Sequence, residues 1–376
     1  MSKKIGIASI WPLDETSFAG TEIFVYRLGK SLIEAGYSVE CISPATTNNY
    51  KGISHIPLTI SISNVNEKSI KKQFTKEGVA GTIQLFSDSL TESIRRAGNY
   101  DFIILNSPLF SRYKGLPPCM MILHDNPNEL INYFGNKNSE LVLDILKEAI
   151  DYPVVTPSNH YKEYYSNILN VKVDHIPHAL EPTFISGDIV ERVNKYKCNN
   201  QEISILIPSR LEPNQKGQDM AISAISKLSE STKSTIHLKL SGLDPIYNDN
   251  RDRLIEEAVK TGISIEVCKY LNIINEMIIA DIILLPSRYE SFGYAAQEGI
   301  SLGKQVVLSN IPTYIEIAED APNAHLFESN SVSSLTNILS QVLESKPTLV
   351  YPPSNWYDRY SVENWLAKYI KYIKDS

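Results

Sequence analysis

Hydrophobic and polar positions follow one repeated rhythm along the chain: a short apolar run, then a stretch whose apolar residues fall three or four apart. The runs KIGIASIW, SVECIS, DFIILN, CMMILHD, PVVTPS and VDHIPH are apolar nearly throughout, as parallel strands covered on both faces are. Between the first two, TEIFVYRLGKSLIEAG predicts a helix with Phe24, Leu28, Leu32 and Ala35 on one face and Gly36 as its stop. SELVLDILKEAI predicts another helix, while Tyr50 to Asn99 gives no clear pattern. After HIPHALEPTF the rhythm blurs until about Asn200, then restarts with ISILIPS, IHLKLSG, ISIEVCKY, IILLPS and QVVLSN. Among the intervening helices, GQDMAISAISKL sets Met220, Ile222, Ala224 and Leu228 close to one face.

Strand–helix alternation in both halves predicts an α/β protein of two doubly wound, Rossmann-like domains facing each other across a cleft. The boundaries fall at residues 1–180 and 181–359, with a linker near His178–Asn200. The last segment, YSVENWLAKYIKYIKDS, predicts a helix over 360–376 with Trp365, Ile370 and Ile373 available for burial. It closes the second domain or crosses back to the first. In open α/β sheets ligands bind beyond the carboxyl ends of the strands, so the residues just after each strand hold the chemistry.

Composition narrows the classes. With 376 residues, 43% hydrophobic and 21% charged, the chain has the balance of a globular protein. A net charge of −7 disfavours a broad nucleic-acid-binding face. MSKKIGIASIW reads as a first strand rather than a secretory leader, and no apolar stretch reaches the ~18–20 residues that span a bilayer. Four scattered cysteines, Cys41, Cys119, Cys198 and Cys268, form no metal-ligand spacing and suit a reducing compartment. The expectation is a cytoplasmic protein.

Four strand ends carry candidate chemistry. After the first, Gly20 precedes a helix at Thr21, where it would let an anion approach the backbone or would simply make a turn. After CMMIL comes His124-Asp125, the histidine being a cleft-facing donor or base, or a loop residue bonded to a carbonyl. After ISILIPS come Arg210 and Lys216-Gly217, a planar fork and a mobile point charge suited to a diphosphate, or else two solvated cations. After IILLP, the loop Ser287–Phe292 holds Glu290 and Ser291, and Gly293 and Tyr294 open the next helix. N–H groups there can receive phosphate oxygens, and Glu298, one turn beyond Tyr294, shares that face and can accept bonds from ribose hydroxyls. Glu290 has a plainer reading as a helix-dipole partner.

SRLEPNQKG together with ESFGYAAQE resembles the donor site of family-four retaining glycosyltransferases, which have the GT-B fold. Their signature is two glutamates with seven residues between them, matched by Glu290 and Glu298. AGTEIFVYRL, ILHD, VVTPSNHYKEYY and LKLSG agree in order, so the resemblance covers nearly the whole chain. It implies an acceptor side in the first domain and a donor side in the second. Arg210 and Lys216 would hold the diphosphate, aided by Ser291, Phe292 and the backbone at Gly293–Tyr294. Glu298 would bind the ribose, Glu290 the transferred sugar's hydroxyls, Gly20 the diphosphate, and His124 the sugar near the reacting carbon. Three departures stand out: Ala19-Gly20 for a glycine pair, His178-Ala179 for Asn-Gly, and Gln305 for proline.

The resemblance implies a nucleotide-sugar co-substrate (a UDP- or GDP-sugar), a saccharide, lipid-linked or other hydroxyl acceptor, and a hexosyl or N-acetylhexosaminyl transfer in bacterial-type polysaccharide or glycoconjugate assembly. No Asp-x-Asp pair occurs, so no metal is expected on the diphosphate. Two other functions remain open: a GT-B sugar-nucleotide epimerase, and a non-catalytic paralogue serving as a binding subunit. In NEKSIKKQFTKEG, Lys68, Lys71, Lys72 and Lys76 lie beside Ile70 and Phe74, a pattern that fits either an interfacial helix at the inner face of a membrane or a solvated one.

Overall fold

The computed structural model describes residues 2–13, 20–44, 49–60, 65, 67–115, 117–124, 136–196, 202–242, 249–268 and 272–376. Asp125, Ala19 and Cys198, named above, lie outside the described residues, as does the side chain of Lys68. The chain divides into two compact units, Met1–His178 with Val362–Ser376, and Ala179–Ser361.

The first unit is built on one sheet. Its strands are β1 (Lys4–Ala8), β2 (Ser38–Ser43), β3 (Asn49–Tyr50), β4 (Ile53–Pro57), β5 (Phe102–Leu105), β6 (Cys119–Ile122), β7 (Val154–Thr156) and β8 (Val173–His175). They lie in the order β3-β4-β2-β1-β5-β6-β7-β8, all parallel except β3 against β4. The second unit has β9 (Ile203–Pro208), β10 (Ile236–Ser241), β11 (Ser264–Cys268), β12 (Ile282–Leu285), β13 (Gln305–Ser309) and β14 (Ala324–Phe327). Their order, β11-β10-β9-β12-β13-β14, is parallel throughout. Both units are therefore doubly wound parallel-sheet domains, as the alternation predicts.

Why those strands read as unbroken apolar runs is visible in the second unit. Ile205, Ile207, Ile282, Leu284 and Val307 enter one core, and the intervening Leu206, Ile283, Leu285, Val306 and Leu308 enter another. Side chains alternate across a strand, so a sheet covered on both faces leaves no polar position in the run.

The stretch that gave no pattern, 50–99, holds β4 and a helix over Glu67–Ala97 that is broken at Gly78, where φ is 70° and ψ 172°. Its buried apolar residues are Ile70, Phe74, Val79, Ile83, Phe86, Leu90 and Ile94. The Phe74–Val79 interval spans the break, and that one irregular step disguises a helical period. Ile70 and Phe74 sit in the unit's own core, with Lys71, Lys72 and Lys76 exposed. The interfacial-helix reading is thus corrected: the apolar face that a membrane would need is already covered. Among the described residues, no helix is long and apolar enough to cross a membrane.

The terminal helix, Val362–Asp375, packs within the first unit through Trp365, Tyr369 and Ile373, with Tyr369 in the place expected for Ile370. Phe24, fully buried on the Gly20–Glu34 helix, lies 6.0 Å from Trp365 and 6.1 Å from Tyr369 between ring centroids. Lys3 Nζ donates to the carbonyl of Ile373 at 2.6 Å.

Replacing Ile70 by Ala tests the corrected reading of the Glu67–Ala97 helix. Chemical denaturation should show a loss of about 2–5 kcal/mol, the cost of truncating a fully buried aliphatic side chain. A change within ~0.5 kcal/mol would mean that this face is not core.

Candidate functional site

In the second sheet the strand order turns back between β9 and β12, and the loops that follow these two strands lie at the switch point where open α/β sheets bind ligands. After β9 the chain makes a single helical turn, Pro213–Lys216, with proline at its start and Gly217 at φ 70° closing it. The Gln218–Ser226 helix follows. A Cβ on Gly217 would stand 2.0 Å from the carbonyl oxygen of Pro286, so only glycine allows the two loops to touch.

That approach brings Lys216 to Glu290. Nζ of Lys216 lies 2.7 Å from Oε1 of Glu290, and each side chain keeps only 13% of its exposure. The same Oε1 accepts a hydrogen bond from Ser287 Oγ at 2.8 Å and one from the Tyr314 hydroxyl at 3.2 Å. Tyr314 stands on the Pro312–Ala318 helix after β13, is buried, and lies 3.1 Å from Ser287 Oγ. Burial, then the Glu290 charge, pushes its phenol well above the usual tyrosine range, so the hydroxyl stays protonated and able to donate.

Arg288 supplies the other clamp. Its guanidinium makes a forked pair with Asp219, at 3.1 and 2.9 Å, and donates to the Pro213 carbonyl, while its backbone N–H donates to Gln215 O at 2.7 Å. This arginine ties one loop to the other. Arg210 behaves differently: it reaches Glu212 at 3.1 Å and Gln215 at 3.5 Å, with 40% of its side chain exposed.

Gly293, at φ 104°, begins the Tyr294–Ser301 helix and, being glycine, offers no side chain to cap it. Phe292 is buried beside Tyr294, their ring centroids 5.5 Å apart, and Ser291 is half-buried. Glu298 is buried on the following turn. The result gathers cations, carboxylates and a helix N-terminus at the ends of β9 and β12, an arrangement suited to an anion with attached hydroxyl groups.

The first unit gathers a different set at the ends of its strands. Asn106 follows β5, His124 follows β6 and His178 follows β8. The His124 Nε2–H donates to Asn106 Oδ1 at 2.5 Å. His178 lies 5.2 Å from His124 between ring centroids, and Phe24 lies 4.7 and 4.8 Å from the two imidazoles. Burial lowers the His124 pKa to about 3 and holds His178 well below the usual range, with the His124 and Arg27 charges adding to the latter. Both rings are neutral at physiological pH. Gly20 is the exposed first residue of its helix.

The structure thus joins Lys216, Glu290, Gly293 and Glu298 around one helix start and sets Arg210 on the adjoining loop. It gives Gln305 a structural task, donating to Thr348 O at 2.6 Å and standing 2.6 Å from His325 Nε2. Tyr314, Arg288, Asp219 and Asn106 were not expected. Two of them had a signal, since Asn106 closes DFIILN and Tyr314 follows QVVLSN, both at strand ends.

Residues 189–357 match the family model described as "Glycosyl transferases group 1". A curated relative, an uncharacterized glycosyltransferase of Methanocaldococcus jannaschii, is 27% identical over 229 residues, 56% of this chain and 57% of its own length. The match therefore spans little more than half of that relative. Among solved structures, sucrose-phosphate synthase from Thermosynechococcus elongatus superposes with a TM-score of 0.75 at 16% identity, over 99% of this chain and 98% of its own. HepE of Anabaena in complex with UDP and glucose gives 0.72 at 15% identity, over 100% of both chains. The family match lies within the second unit, and the two parallel-sheet units have the GT-B type of fold seen in these solved structures.

Two measurements follow from the geometry. Gly217→Ala should cost about 2 kcal/mol or more, because its Cβ meets a backbone carbonyl and its φ is left-handed; thermal and urea unfolding would show it. For His124 the folded pKa lies below the unfolded value of ~6.5, so the unfolded chain binds the extra proton and stability falls as pH drops from about 6.5 towards 3. The contribution reaches up to ~1.4 kcal/mol per pH unit. Urea unfolding of wild type and His124→Gln at pH 7, 6 and 5 should converge as pH falls; parallel curves would refute the buried neutral imidazole.

Proposed function

We propose that this protein is a retaining glycosyltransferase of the family-four type. It would move a hexosyl or N-acetylhexosaminyl group from a UDP- or GDP-sugar to a hydroxyl acceptor, saccharide or lipid-linked, in polysaccharide or glycoconjugate assembly. One observation carries the reading: Lys216 and Glu290 meet at the switch point of the second sheet, with Glu290 three residues before the glycine that starts a helix. A diphosphate carrying a sugar on one side and a ribose on the other has the charges and hydroxyls that this set of groups complements.

In this reading the donor lies on the second unit and the hydroxyl acceptor is assigned to the first. The bond from the sugar's anomeric carbon to the phosphate oxygen breaks through an oxocarbenium-like state, and negative charge collects on the leaving diphosphate. Lys216, Arg210 and the Gly293–Tyr294 backbone stabilise that charge in place, with no metal invoked. Glu290 accepts from hydroxyls of the transferred sugar, and Glu298 from those of the ribose. The acceptor oxygen bonds to the anomeric carbon on the face the diphosphate leaves, and its proton passes to the departing phosphate oxygen. Configuration is retained.

Isothermal titration against UDP, GDP, ADP and their sugars tests the site. One nucleotide family should bind selectively, and Glu298→Gln should weaken it about tenfold through the lost charge-assisted bonds to the ribose. Product from an α-linked donor should be α-linked by NMR. Failure of a well-folded sample to bind any of the panel would sink the assignment.

A further inference from the structure

Lys216 raises a physical difficulty. Its ammonium is the best-placed cation for a diphosphate, yet it already touches Glu290, and both groups are nearly buried. A dianionic ligand brought to this lysine draws its charge away from the carboxylate. Glu290 then stands beside another anion with its counter-ion turned elsewhere. A carboxylate in such surroundings is costly unless other donors hold it.

Those donors are present. Ser287 and Tyr314 both reach the oxygen that Lys216 contacts, at 2.8 and 3.2 Å, and are 3.1 Å from each other. The Pro312–Ala318 helix also reaches Glu290 by its backbone, since Thr313 Oγ1 donates to the Glu290 carbonyl at 3.4 Å. Below the hydroxyl, the Tyr314 ring has its own task. A Cβ on Gly293 would come within 2.6 Å of its Cε1, so the ring packs against the glycine that starts the Tyr294–Ser301 helix. Ring and hydroxyl can therefore be separated by experiment, because Tyr314→Phe keeps the packing and removes only the donor.

We infer that Tyr314, with Ser287, is a positioning residue of the donor site: its hydroxyl holds the Glu290 carboxylate so that Lys216 can turn its charge to the diphosphate. The inference rests on the donor-site reading above and adds to it a residue from a third segment, the helix after β13. Tyr314 touches no phosphate itself. It acts on the ligand through Glu290 and Lys216, and its contribution exists only for ligands that engage that lysine.

The test compares nucleoside diphosphate with nucleoside monophosphate, using the base that wild type prefers, by titration calorimetry. Tyr314→Phe should weaken the diphosphate about tenfold and leave the monophosphate, which lacks the second phosphate, within twofold of wild type. In a Glu290→Gln background the carboxylate charge is gone, so adding Tyr314→Phe should change diphosphate affinity by less than twofold. Ser287→Ala should repeat the selective loss more weakly, and melting temperatures of all variants identify any that fail to fold. Unchanged diphosphate binding by Tyr314→Phe overturns the inference alone, as does an equal loss of both ligands, which would mark a general structural role. If wild type binds no diphosphate, the donor-site reading falls, and this inference with it.

Discussion

The contact on which the second unit's site depends is the approach of Gly217 to the carbonyl of Pro286. Two loops that follow different strands can bring side chains together only if their backbones meet, and a side chain at position 217 would hold them apart. Arg288 then fastens the contact by reaching Asp219 and Pro213 on the facing loop. The Lys216–Glu290 contact follows from this closeness. The charged residues are therefore secondary to a steric fact, the absence of one methyl group.

Each cation described in this site meets a carboxylate. Glu290 gathers a lysine and two hydroxyls, and Arg288 spends its fork on Asp219 rather than on a ligand. Arg210 pairs with Glu212 while keeping 40% of its side chain exposed. The first unit follows the opposite strategy. Its strand-end cluster of His124, His178 and Asn106 is neutral, buried and set against the Phe24 ring. The charged set can answer charge on a ligand, whereas the cluster in the first unit offers neutral hydrogen-bonding groups.

The fold was legible where its physical cause is local. A sheet covered on both faces demands unbroken apolar strands, and those runs stand out in IILL and QVVL as clearly as in the coordinates. Legibility failed between residues 50 and 99 because a single left-handed glycine, Gly78, shifts the helical period partway along. It failed for Ile70 and Phe74 as well, since a basic amphipathic segment looks the same whether its apolar face meets a core or a lipid.

By itself the sequence determined the two wound sheets, because periodicity and punctuation by glycine and proline are written along the chain, and it offered Arg210, Lys216, Glu290 and Glu298 as strand-end candidates. Tertiary structure alone decided that Lys216 pairs with Glu290, that Arg288 is a clamp, and that Tyr314 enters the network from the helix after β13. The reason is separation: the partners lie 74, 69 and 24 positions apart, and a hydrogen bond a few ångströms long leaves no trace in spacing. His178 shows the same limit. In the sequence it is a departure from a family pattern, and only the folded sheet sets it beside His124.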